Sequence, residues 1–158
     1  MKHALALAAL LAATTTTPAL AQNKTGQPIN CAVYAEELSK TIEADERVTG
    51  TAEFAAVESL DKLGAHLRKV VAAGMEDTYR QSAAFGWDKA TVDAKMAEGE
   101  AAVRAGFVGQ TMEPGKVYTD HLLVINECGK TMMRQGHLGQ ADVDKLGKRM
   151  NAVYMQIR

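Results

Sequence analysis

"QADVDKLGKRMNAVYMQI", residues 140–157, is the stretch that decides the fold. Val143, Leu146, Met150, Val153 and Ile157 recur at intervals of three, four, three and four. That spacing places them along one face of an α-helix. The face is a seam for packing against other helices, although it is too short for a free-standing coiled coil.

Upstream of this seam, Gly136 and Gly139 end a preceding helix, read as Lys116 to Arg134, with Tyr118, Leu122, Ile125, Cys128 and Met132 at helical spacing. Residues 109–115 contain Pro114-Gly115 and read as a turn. Before it, Asp88 is a good N-cap for a helix reaching about Phe107, with Val92, Met96, Val103 and Phe107. A longer helix runs from Ala52, capped by Thr51, to Phe85, with Phe54, Val57, Leu60, Leu67, Val71 and Met75 on one stripe. Its length predicts either an overhang or a bend near Gly64 or Gly74. Gly86 stands where a C′ glycine belongs, with Trp87 placed to fold back on the helix end. Asn30 caps a first helix from Cys31 to about Arg47, with Cys31, Tyr34, Leu38 and Ile42 inward. Glu36–Lys40 and Glu43–Arg47 are expected as i,i+4 pairs on its outer face.

Helix formers dominate, β-branched residues rarely cluster, and no six residues alternate cleanly between apolar and polar. The chain therefore reads as all-α. Short connections between amphipathic helices imply antiparallel neighbours, hence an up-and-down bundle of four to five helices with one long second helix.

The N-terminus reads as an export signal. Lys2 is a short positive region, Ala4–Ala13 form an apolar run of ten, and Ala19-Leu20-Ala21 has the small-x-small pattern of a peptidase site. Cleavage after Ala21 removes residues 1–21, leaves residues 22–29 as a loose arm and residues 30–158 as one bundle domain. The expected location is periplasmic or secreted, with no membrane-spanning segment in the mature chain. Loss of Lys2 leaves 17 basic against 19 acidic residues, a formal charge of -2 in place of -1. That balance gives no electrostatic reason to expect nucleic acid as partner.

Two cysteines in an exported chain predict one disulfide, Cys31–Cys128. Both lie on apolar stripes, one at the start of the first helix and one late in the fourth, and these ends meet if the two helices are antiparallel neighbours. Closing a loop of this size constrains the unfolded chain by about 4.7 kcal/mol in the chain-entropy model. Cys128 as a nucleophile would need a base, and His137 falls past a helix end in the following turn.

Other chemistries lack a carrier. Cys128-Gly-Lys-Thr-Met has neither the second Cys nor the His of covalent haem attachment. His66, His121 and His137 are preceded at minus three by Leu63, Tyr118 and Arg134, so no Glu-x-x-His di-iron motif exists. No HExxH, P-loop or GxGxxG occurs. Glu76-Asp77 and Glu98 with Glu100 read as solvated faces. Met132 and Met150 read as core, and Met133, His137 and Met155 as scattered surface residues rather than Cu(I) ligands. His121 lies beside the apolar stripe, where a histidine satisfied by a neighbour is usual.

With no catalytic residue, cofactor site or metal site in view, the expectation is a non-enzymatic interaction or structural module of the cell envelope. Its partner would be another envelope protein, met through a helix face such as the stripe of the long second helix. The alternative is a bundle that binds a small ligand or a metal, haem or copper.

Overall fold

The computed structural model describes residues 25–48, 51–108 and 116–157. The proposed signal, its cleavage point, residues 22–24 of the arm and the turn at 109–115 lie outside the described residues. Among those described there are five α-helices and no strand: α1 Gly26–Glu43, α2 Thr51–Ala83, α3 Lys89–Ala105, α4 Lys116–Arg134 and α5 Gln140–Ile157, with one 3-10 turn at Glu46–Val48.

Local chemistry explains most of the boundaries. The Asp88 side chain accepts from the Thr91 N–H at 2.8 Å and caps α3. At the end of α2, Gly86 has φ +81° while its N–H reaches the Ala83 carbonyl and that of Trp87 the Ser82 carbonyl. Gly136 does the same for α4, with φ +77° and paired bonds from Gly136 and His137 to Met133 and Met132. Both are Schellman closures, in which a left-handed glycine satisfies the last helical carbonyls.

Helix α1 departs from expectation at both ends. It begins at Gly26, so Gly26–Ile29 of the expected arm are helical and Asn30 lies inside the helix rather than capping it. Pro28 sits in the first turn, where its missing N–H has no intrahelical partner to lose. Tertiary contact holds this locally poor start. Ile29 is buried, and the buried Thr25 hydroxyl meets Thr78 Oγ1 at 3.0 Å. Thr78 gives its own hydrogen to the Gly74 carbonyl at 3.0 Å, so Thr25 is the donor of that pair. At the other end α1 stops at Glu43, because Asp45 accepts from the Arg47 N–H at 3.0 Å and from its Nε at 2.8 Å. Arg47 therefore pairs with Asp45, not with Glu43.

The long α2 is one continuous helix of 33 residues, about 50 Å at 1.5 Å per residue. Gly64 and Gly74 mark the closest approach of α1. A Cβ on Gly64 would lie 3.2 Å from Glu36 Cγ, and one on Gly74 would lie 2.7 Å from Thr25 Cγ2. Together with Ala32 and Ala35, both fully buried, they let two backbones pack closely.

Contacts fix the directions. Gly74 meets Thr25 while Gly64 meets Glu36, so α1 and α2 are antiparallel. Cys31–Cys128 and Gln27–Gln135 set α4 antiparallel to α1. Ser59–Arg149 and His66–His137 set α5 antiparallel to α2. A four-helix ring closes in the order α1, α2, α5, α4 around Leu38, Ile42, Leu60, Leu67, Ile125, Met132, Met150 and Val153. Helix α3 lies outside this ring, against α1 and α2. Phe54, expected on the inner stripe of α2, is 69% exposed, and Ala56 with Leu60 fills the core at that end.

Candidate functional site

The Cys31–Cys128 disulfide is present, joining α1 to α4 with Cα atoms 5.7 Å apart and both residues buried. Neither sulfur is free for nucleophilic or ligand chemistry. Met132 and Met150 are core, Met133 and His137 are half-buried, and Met155 is 60% exposed. Among the described residues no three His, Cys, Asp or Glu side chains converge on a point that would suit a metal ion. His66, His121 and Met150 stay apart: His66 reaches the His137 carbonyl, His121 joins an aromatic stack, and Met150 enters the core.

Two clefts flank α5. The first lies between α4 and α5, about 270 Å³ in volume, with Leu122, Leu123, Met150 and Tyr154 among its walls and Gly129 and Gly147 lining it. Leu123 is 58% exposed, and nothing stands within 4 Å of a Cβ placed on Gly147. The groove is thus apolar and accessible.

The second cleft, about 280 Å³, lies between α2 and α5 and mixes leucines with charged and hydroxyl side chains. Ser59, Lys62 and His66 follow one another at three and four residues on α2, and Asp142, Lys145 and Arg149 do so on α5. Each set occupies one helix face. The Ser59 hydroxyl donates to the Ala55 carbonyl at 2.8 Å and accepts from Arg149, so its hydrogen is engaged away from any histidine. His66 Nε2 donates to the His137 carbonyl at 2.8 Å. A Ser-His hydrolase arrangement is therefore not assembled, although the residue types lie in one cleft.

Where α3 packs on α1 and α2, an ion cluster ties it to the ring. Arg68 Nε and Nη2 donate to Glu36 at 2.9 and 3.0 Å, and its Nη1 and Nη2 donate to Glu100 at 2.7 and 3.1 Å. Arg104 donates to Glu36 at 2.9 Å and also reaches Glu37. Arg68 beside Glu36 holds that carboxyl below its ordinary value, with Arg104 adding to the effect against partial burial. Glu36 and Glu100, read from sequence as outer-face charges, are thus structural groups. Lys40 pairs with Glu37 instead of Glu36.

His121 is buried, 7% exposed, and stacks on Phe107 at 4.4 Å with ring planes 13° apart, while Tyr34 meets Phe107 edge-on at 5.3 Å. Burial lowers its pKa below 6.5, and the nearby charge of Asp120 offsets this in part. Phe107 lies just past the end of α3, so the stack fastens the exit of that helix to α1 and α4.

The chain matches no protein-family model, no curated protein and no solved structure. No described helix is long and apolar enough to cross a membrane.

Proposed function

We propose that the protein is a small exported, non-enzymatic interaction module that receives an amphipathic helix of another envelope protein in the groove between α4 and α5. The groove itself carries this reading. Its volume of about 270 Å³ and its mainly apolar lining suit a few apolar side chains. From Thr119 to Gly129 it follows α4 for about 15 Å, close to three turns of a docked helix. That length matches anchors at i, i+3 or i+4, and i+7. Leu123, a large apolar side chain 58% exposed, lines this groove. The stripe of α2 is a weaker candidate, because Leu60, Leu67, Val71 and Thr78 are buried within the bundle.

Export is supported by the Lys2, Ala4–Ala13 and Ala19-Leu20-Ala21 pattern and by the disulfide, which persists in oxidising compartments. The second reading, a small-ligand binder, draws on the α2–α5 cleft and its charged side chains. A substitution test separates surface from groove. Leu123→Lys should abolish retention of the partner from an envelope fraction after crosslinking, whereas Phe85→Lys, at a residue 82% exposed elsewhere, should leave it intact. Equal retention by both variants, or none by the wild type, would overturn the proposal.

A further inference from the structure

We infer that the cleft between α2 and α5 binds a compact oxyanion, a carboxylate or phosphate group of a small ligand, between Arg149, Lys145 and Lys62. This goes beyond the interaction reading and stands without it, since the two clefts lie on opposite sides of α5.

The inference starts from charge placed against itself. Lys145 and Arg149 are i,i+4 neighbours on one face of α5, and Lys62 lines the same cleft from α2. Like charges at this spacing repel by a few tenths of a kcal/mol. Lys62 is paired with Glu58, but neither Lys145 nor Arg149 forms a salt bridge among the described residues. The only carboxylate in the cleft lining is that of Asp142, in the first turn of α5. Because α2 and α5 are antiparallel, Ser59 and Arg149 mark one end of the cleft and His66 and Asp142 the other, about 10 Å away over seven residues. Lys62 and Lys145 lie midway along the cleft, and the Glu58 carboxylate that Lys62 holds is also felt by Arg149 and Lys145, so three cations face the two carboxylates of Glu58 and Asp142 and keep a net positive charge.

The Arg149 end is preorganised. Ser59 Oγ accepts one N–H of the Arg149 guanidinium while giving its own hydrogen to Ala55, which orients the fork and leaves its remaining donors for a planar or tetrahedral oxyanion. Leu63 and Leu146, both 6–7% exposed, line the cleft and lower the local dielectric. At the far end, Asp142 and His137 can meet a hydroxyl or amine carried by the same ligand. A cleft 10 Å long in a nearly neutral chain suits one anionic group, not a polymer of phosphates.

Backbone amide chemical shifts of the disulfide-bonded chain, titrated with inorganic phosphate and in parallel with succinate against chloride at equal ionic strength, test this. The expected result is saturable change confined to residues 59–66 and 142–149 with at least one of the two anions. Arg149→Met should weaken binding at least tenfold, Lys145→Met severalfold, and Leu123→Lys not at all. Arg149→Lys keeps the charge but loses the fork and should fall between wild type and Arg149→Met. Lys145 is exposed, so its variant keeps the test decisive if Arg149→Met does not fold. Shifts that grow linearly with either anion, spread over all basic residues, or survive both substitutions would overturn the inference. So would identical behaviour in chloride alone.

Discussion

Replacing Gly74 by alanine sets two effects of known sign against each other. Alanine in a helix interior gains up to about 1 kcal/mol over glycine. At position 74, however, the new Cβ would stand 2.7 Å from Thr25 Cγ2, a distance that forces a shift. The obstacle is a β-branched methyl on a residue 3% exposed, whose hydroxyl is bonded to Thr78 at 3.0 Å, so Thr25 cannot rotate away without breaking a buried pair. Overpacking of this kind costs about 1–3 kcal/mol, leaving Gly74→Ala net destabilising by about 1 kcal/mol. Gly99→Ala and Gly147→Ala are the internal controls. Both glycines are helical, a Cβ on either meets nothing within 4 Å, and each variant should gain about 0.5–1 kcal/mol. Gly64→Ala should come out near neutral, since its Cβ would lie 3.2 Å from Glu36 Cγ, a side chain that the arginines restrain. Urea unfolding with the disulfide intact measures all four as shifts in midpoint at constant slope. If Gly74→Ala stabilises as much as the two controls, the close approach of α1 on α2 is wrong.

Other perturbations have equally definite signs. Arg68→Met leaves Glu36 and Glu100 facing one another with Arg104 alone between them, and should cost about 2–3 kcal/mol while loosening α3 first, visible as faster amide exchange over residues 89–105. The folded pKa of His121 lies below 6.5, so the unfolded chain takes the proton first; stability from this group is complete above pH 6.5 and declines as pH falls below it. His121→Phe should flatten that part of the urea-midpoint profile while leaving the acid limb due to Glu36 in place. Replacing both Cys31 and Cys128 by serine releases a loop with a sequence separation of 97 and should lower stability by about 2–4 kcal/mol.

The parts legible in sequence are those whose causes are local. The periodic stripes of α4 and α5, the Asp88 cap and the glycines at 86 and 136 carry their own signals within a few residues, and the structure places each of them there. The disulfide was legible because both cysteines sit at stripe positions and the N-terminal pattern reads as an export signal. What could not be read depends on partners distant in the chain. Gly26 opens a helix with no side-chain cap of its own, and contact of Thr25 with Thr78 of α2 helps to hold that start. Gly64 and Gly74 suggest bends until α1 is seen pressed against them. Glu36, an apparent surface residue, meets an arginine 32 positions away, and the α2–α5 cleft pairs Ser59 with Arg149 across 90 positions. None of these separations leaves a periodicity.

The most direct test of the interaction reading places a photoreactive amino acid at position 123, and separately at positions 85 and 95, in the full-length chain. Irradiation in the intact cell envelope, followed by peptide mapping, should give crosslinks from position 123 to one amphipathic helical segment of one protein, with none from the other two positions. Crosslinks absent at 123, or equal from all three positions, would contradict the account.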